Sequence, residues 1–302
     1  MASQRDVQNK IASVKNIQKI TRAMEMVAGA RLRRAEQRIE ALRPYADAVR
    51  RMTRQAAKAA GAEASRMPLL AEHSSEHNVG VLLITGDRGL AGGFNSQVIR
   101  AGTRLGTDLS EQGKAPAWYA TGRRGVSSLT FRGLDLQGTY TGFADRPAYA
   151  DARTIADDLI EGYVDGKLDR VELIYNRYVS PLTQTVTQER LLPLSAATVA
   201  GDDEEEEASE EQQEGPRALV DYEPDPEAIL RRLVPDYIEI SIYRALVEST
   251  AGFFGAQMTA MRNASENAGE IITDYTLQMN RARQAEITQE IMEVVAGAEG
   301  LS

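Results

Sequence analysis

Both ends of this 302-residue chain carry apolar residues at helical spacing over stretches too long and too narrow to serve a single globular core. In Gly269–Val295, Ile272, Tyr275, Met279 and Ala282 step by three, four and three. Ile287, Ile291, Val294 and Ala298 step by four, three and four. Between these seams lies the polar segment Arg281, Arg283, Gln284, Glu286, Thr288, Gln289 and Glu290. A helix with so thin an apolar seam buries it against one partner helix and keeps the rest wet. The partner lies at the other terminus. Val7, Ile11, Val14, Ile17, Ile20, Met24 and Val27 recur in steps of three and four, after which the seam shifts to Ala28, Leu32, Ala35, Ile39 and Leu42. Two such helices enclosing a compact middle predict an antiparallel coiled coil. Helices of roughly 80–90 Å, at ~1.5 Å per residue, would outrun a domain of this size.

Charge divides the chain in the same way. Formal net charge is −9, yet Asp202, Asp203, Glu204, Glu205, Glu206, Glu207, Glu210, Glu211 and Glu214 account for all of it. From Met1 to Arg66, fifteen Lys and Arg face six Asp and Glu. The chain therefore reads as a basic arm, a balanced body and one acidic loop. It contains no cysteine, which removes disulfides, thiolate catalysis and thiolate metal ligands. No apolar run reaches the ~18–20 residues of a membrane span. The opening MASQRDVQNK has no apolar core of a signal or transit peptide.

The middle alternates. Strands are predicted at Val79–Thr85, Ala115–Ala120, Leu134–Tyr140, Val171–Val179 and Thr183–Leu192. Helices are predicted at Asn95–Ser110, Arg123–Thr130 and Pro147–Tyr163, the last with proline at its first turn. That order predicts a Rossmann-like, doubly wound and mostly parallel sheet with an antiparallel edge. Pro44 is expected to kink the first helix. Pro226 opens the final helix, with a break near Pro235 and local weakening at Gly252 and Gly255. The expected organisation is an N-terminal coiled-coil helix over 1–66, an α/β domain over 67–232 with an acidic disordered insertion at 196–215, and a C-terminal coiled-coil helix over 233–302.

Three stretches invite a chemical reading. GDRGLAGGFN (Gly86–Asn95) joins a strand to a helix, where nucleotide folds hold phosphate. It matches neither GxGxxG nor GxxxxGK[ST] and contains no lysine, so it reads as a tight turn presenting a surface loop. His73 and His77 are four apart but lack the Glu of HExxH, so no metal is expected. The basic arm with Arg31, Arg33 and Arg34 has no interleaved aromatics, which favours an acidic protein surface over nucleic acid. No catalytic constellation is expected from spacing.

Longer motifs then carry a family likeness. IASVKNIQKITRAMEMVAGARL (Ile11–Leu32), GDRGLAGGFNS (Gly86–Ser96), YEPDP (Tyr222–Pro226) and NRARQAEITQEIMEVVAGA (Asn280–Ala298) resemble signatures of the gamma subunit of F-type ATP synthase. The resemblance implies a central-stalk rotor shaft without catalytic residues or cofactor. Its partners would be the alpha and beta subunits of the F1 ring, the epsilon subunit and the c-ring of Fo. It would lie peripherally on the cytoplasmic face of a bacterial plasma membrane and couple ion-driven rotation to ATP synthesis or hydrolysis. Carried over by position, Met24, Arg31, Arg33, Arg34, Asp87, Arg88, Gly89, Arg283, Gln284 and Thr288 would contact the catalytic subunits. Tyr222 and Glu223 would face the membrane ring. Three departures stand out. Ala91 replaces a common cysteine. The family's acid near Phe253 and Arg at Gln257 are both absent, which suggests apolar packing in their place. The acidic insertion has no cysteine; it reads mainly as a solvated surface loop, or otherwise as a segment that repels the anionic membrane surface or touches epsilon. A free-standing coiled-coil scaffold and a nucleotide-binding enzyme are the competing readings.

Overall fold

The computed structural model describes residues 4–73, 75–194 and 225–299. Tyr222, Glu223 and the acidic run fall outside the described residues. Two compact units divide the chain: Met1–Ala30 with Gln257–Ser302, and Arg31–Ala256.

The first unit is built from parts of two long helices, α1 (Gln4–Ala60) and the last helix, Pro226–Glu299. Their contacts run in opposite directions. Lys10 Nζ sits 5.8 Å over the Tyr275 ring. Gln18 Nε2 donates to the Ser265 carbonyl at 3.2 Å, and Arg262 Nε donates to Glu25 Oε1 at 2.9 Å. A Cβ placed on Gly29 would lie 3.4 Å from the Met258 sulfur. One residue number climbs while the other falls, so the pairing is an antiparallel coiled coil, as the periodicity predicted.

The phase of the α1 seam differs from the sequence reading. Val7, Ile11, Thr21 and Ala28 are buried and Val14, Gln18 and Glu25 half-buried, an unbroken alternation of four and three. Ile17, Ile20 and Val27 are 53%, 59% and 52% exposed. The heptad thus runs through polar Gln18 and Thr21 while apolar neighbours face outward, and no shift of seam is needed at Ala28. On the last helix, Met261, Ser265, Ala268, Ile272, Tyr275, Met279 and Ala282 keep the matching spacing on the buried or half-buried side. Beyond Ala282 every residue to Ala296 is exposed, including Ile287, Ile291 and Val294. The predicted second seam has no partner among the described residues: those of α1 start at Gln4, and its first turns already pair near Tyr275.

The second unit holds a five-stranded sheet: β1 (Asn78–Ile84), β2 (Ala115–Thr121), β3 (Leu136–Tyr140), β4 (Arg170–Ser180) and β5 (Thr183–Leu192). The strand order is β3-β2-β1-β4-β5, parallel except for β4 with β5. Helices α2 (Phe94–Glu111), α3 (Arg123–Phe131) and α4 (Tyr149–Val164) connect the strands, and Pro226–Glu299 is α5.

Side chains alternate across the pleat. Val79, Val81, Leu83, Trp118 and Ile174 join α2 and α3 in one core. Leu82, Ile84, Tyr119, Leu173 and Tyr175 join Ile155 and Leu159 of α4 and Ile238 and Ile242 of α5 in the other. With both faces covered, the central strands read as continuous apolar runs.

Two proline expectations change. Pro147 lies before α4, whose N-cap is Ala148; the Ala148 N–H donates to Asp151 Oδ2 at 2.7 Å. Pro235 does not break α5, because Leu230, Val234 and Ile238 around it are buried and outweigh one missing backbone bond. Helix α1 is continuous through Pro44, where the sequence expects a kink and not an end.

A charged cluster between α5 and the β4–β5 pair makes a pH prediction. Arg244 bridges to Glu189 at 2.8 Å, and Arg177 donates to the same carboxylate at 2.8 Å. Burial raises the Glu248 carboxyl above its ordinary range despite Arg244 and Arg177, and its Oε2 has no hydrogen-bond partner among the described residues. A raised folded-state value gives stability that is complete below the unfolded carboxylate value, about 4.3, and is lost as pH rises through the folded one. Glu248→Gln is therefore expected to gain stability relative to the parent as pH rises from ~4 to 7. Urea unfolding at both pH values checks this, and a gap independent of pH would contradict it.

Candidate functional site

The loop after β1 is organised by two side chains. Asp87 accepts backbone N–H groups from Arg123 at 3.0 Å, from Gly142 at 3.1 Å and from Ala144 at 3.2 Å. It thereby ties the β1 loop to the start of α3 and to the turn after β3. Asn95 Oδ1 accepts from the Gly86 N–H at 2.8 Å, while its Nδ2 donates to the Arg88 carbonyl at 3.0 Å. Thus Asp87 is held inward, while Arg88 and Leu90 are exposed. Leu90 has φ +64°, an uncommon conformation for a branched side chain that the surrounding bonds hold in place. Gly89 lies against Arg124; a Cβ there would come 2.8 Å from its Nη2.

In open α/β sheets the crevice at a topological switch point is the usual ligand site. Here β1 lies at that point, and the crevice is filled by α5. A Cβ on Gly86 would meet the Phe253 ring at 3.0 Å. Phe253 packs edge-to-face on Phe94, with centroids 5.6 Å apart, and on Phe254 at 5.5 Å. Asn176 Nδ2 donates to the Phe94 carbonyl at 3.1 Å. Gly252 and Gly255 permit this approach, since a Cβ on Gly255 would meet the Pro181 carbonyl at 2.9 Å. The segment without the family's charges is thus an aromatic cluster over the loop.

The structure brings several expected residues together. Arg31 Nη1 donates to Asp145 Oδ2 at 3.1 Å, and Arg88 Nη2 lies 3.5 Å from the same oxygen. The Arg31 guanidinium also lies 5.6 Å over the Phe254 ring. Asp145 was not visible in the sequence as a partner, being 114 residues from Arg31. Arg33 and Arg34 are exposed.

In the coil unit, Met24 is half-buried beside exposed Ile17, Ile20 and Val27. Arg283, Gln284 and Thr288 are exposed, with the Thr288 hydroxyl donating to the Gln284 carbonyl at 2.8 Å.

His73 turns inward: its Nδ1 lies 3.0 Å from Asp169 Oδ1 and its ring stacks on Tyr163 at 4.5 Å. Burial pushes the Asp169 carboxyl up, but the N–H of Asn78, the His73 ring and the N–H of His77 outweigh it and hold it below its usual value. Burial pushes the Tyr163 hydroxyl up to about 12. Among the described residues no three His, Cys, Asp or Glu side chains converge to hold a metal ion. No described helix is long and apolar enough to cross a membrane.

A family model described as ATP synthase matches residues 3–301. The ATP synthase gamma chain of Rubrobacter xylanophilus is 42% identical over 302 residues, covering 100% of this chain and 99% of its own. The gamma chain of Moorella thermoacetica is 42% identical over 301 residues, covering 100% of each. Among solved structures, the central stalk/c-ring of Tetrahymena thermophila mitochondrial ATP synthase contains a chain similar at TM-score 0.58 and 25% identity. The match covers 82% of this chain and 99% of that one. A chain of the Euglena gracilis mitochondrial enzyme shares the fold at TM-score 0.65 and 17% identity, covering 99% and 94%.

Proposed function

This chain belongs to the gamma chains of ATP synthase, the rotor subunit of the central stalk, and from that premise we propose how its residues divide the work. The coil is the axle. Met24, Arg31, Arg33, Arg34, Asp87, Arg88, Gly89, Arg283, Gln284 and Thr288 meet the alpha and beta subunits. Tyr222 and Glu223 meet the c-ring, and epsilon docks beside them. ATP chemistry belongs to the other subunits, and this chain supplies no catalytic group. It works at the cytoplasmic face of a bacterial plasma membrane as a peripheral part of the F1 sector.

The observation that carries this reading is the outward apolar stripe Ile17, Ile20 and Val27, flanked by half-buried Met24, on a helix whose own seam is complete without it. Such a stripe is an interaction surface awaiting a partner. The exposed face of Ile287, Ile291 and Val294 on the single-helix tip is a second. Asymmetric surfaces let one shaft distinguish three equal sites, since it shifts a site only by binding its states unequally. Driving a two-state site from mostly open to mostly closed takes about 5.5 kcal/mol of such difference. Exposed ion pairs contribute ~0–1 kcal/mol each, so the apolar stripe has to supply much of it.

The double variant Ile17→Asp/Ile20→Asp tests the assignment. Because both positions lie off the seam, coil helicity and melting should stay near the parent. Reconstituted with the other F1 and Fo subunits, the variant is expected to lose ATP-driven ion pumping by an order of magnitude, ~1.4 kcal/mol or more per coupling contact set. Pumping at the parental rate would remove the stripe from the coupling surface.

A further inference from the structure

Beside the Arg31–Asp145 pair, the second unit contains a concave pocket of about 360 Å3. Its charged lining is Arg31, Arg34, Arg38, Arg146 and Asp145, and Phe254 contributes an aromatic wall. The guanidiniums come from two places in the chain: three from successive turns of α1 and one from the turn before α4. Asp145 is engaged by Arg31 and Arg88. The side chains of Arg34, Arg38 and Arg146 have no hydrogen bond or ion pair among the described residues. Four converging guanidiniums that share one carboxylate repel each other, a repulsion that a bound anion relieves.

We infer that this pocket binds a compact polyphosphate, either inorganic pyrophosphate or the phosphate tail of a nucleotide. The volume falls in the range of small-ligand sites. The chemistry of the walls selects the ligand. Guanidinium groups only donate hydrogen bonds. The Thr250 hydroxyl already donates within the fold, toward the Ala144 and Leu246 carbonyls at 2.9 and 2.8 Å. A polypeptide segment would also bring N–H donors, which the four guanidiniums that dominate the lining cannot accept. Ionised phosphate oxygens accept only, and the planar fork of arginine matches them two at a time. Arg31 is held over Phe254, which fixes its plane and leaves Arg34, Arg38 and Arg146, without side-chain partners among the described residues, to close on the anion. Because Arg31 and Arg34 also belong to the proposed catalytic-subunit surface, occupancy would compete with an acidic partner there. The site itself does not depend on that reading.

The test uses the full-length chain, titrated calorimetrically at low salt with pyrophosphate, with ATP and with a poly-glutamate peptide. Saturable one-to-one binding of pyrophosphate is expected, with a rise in melting temperature on saturation. ATP binding as tightly as pyrophosphate assigns recognition to the phosphates alone; tighter binding of ATP adds its base against Phe254. Arg38→Ala and Arg146→Ala should each weaken binding about tenfold, while the ligand-free protein melts at or above the parental temperature because repulsion is relieved. Arg38→Lys should fall between, keeping charge but losing the fork. Failure of both phosphate ligands to saturate, affinity unmoved in Arg38→Ala, or binding of the peptide alone would overturn the inference. The axle assignment, tested by ion pumping, would be untouched.

Discussion

Gly122→Ala is expected to abolish the folded α/β body or to destabilise it by more than about 4 kcal/mol, among the larger effects a single substitution produces. Gly122 turns β2 into α3 at φ +81° and ψ 139°, a region populated almost only by glycine. A Cβ there would lie 2.1 Å from the Thr85 carbonyl oxygen and 2.9 Å from the Gly86 carbonyl carbon. Neither backbone atom can yield. The Thr85 N–H and hydroxyl both donate to the Thr121 carbonyl, at 3.1 and 2.7 Å, and the Thr85 hydroxyl also accepts from the Gly125 N–H at 2.9 Å. The Gly122 N–H itself donates to the Tyr140 carbonyl at 2.8 Å. Moving any of these separates the ends of β1, β2 and β3 and releases the loop that Asp87 organises. Equilibrium unfolding in urea reads the result; a variant within ~1 kcal/mol of the parent would show that the turn can relax.

Leu82→Ala is expected to cost about 3–5 kcal/mol, the range for truncating a fully buried leucine whose surroundings cannot collapse. Leu82 is on the central strand, opposite Tyr119 of β2 and Leu173 of β4, with no exposure to solvent. Its core is shared with Ile155 and Leu159 of α4 and with Ile238 and Ile242 of α5. Strands fixed on both sides leave the cavity open. The loss should appear as a lower urea midpoint with unchanged slope. A loss under ~1 kcal/mol would mean that the helices settle into the gap.

Most of the body is legible because apolar strand runs and the glycine-rich turns between them are local signals. Val79–Thr85 was expected and Asn78–Ile84 is found; the antiparallel β5 has the expected bounds, Thr183–Leu192. The coil was legible as a coil but not in phase. Ile17, Ile20 and Val27 read as seam because they are apolar, while strict alternation of three and four points to Gln18 and Thr21. Hydrophobicity alone misleads on a helix that carries one apolar face for its partner helix and another for something outside the chain.

The candidate site was legible only as pieces. Arg31, Arg34, Asp87 and Arg88 could be singled out from motifs. Asp145, Arg38 and Arg146 could not, since their convergence depends on how the turn after β3 packs beside α1, more than a hundred residues away in the chain.

By itself the sequence determined the element order, the parallel sheet with its antiparallel edge and the existence of two terminal helices able to pair. Each of these follows from short-range periodicity and backbone stereochemistry. Only the tertiary structure decided which helix face is covered, where the paired coil ends and the single helix begins, and that Phe253 fills the crevice a nucleotide would occupy in a related fold. Those outcomes depend on which surfaces meet. That is a property of pairs of segments far apart in the chain, which no local pattern encodes.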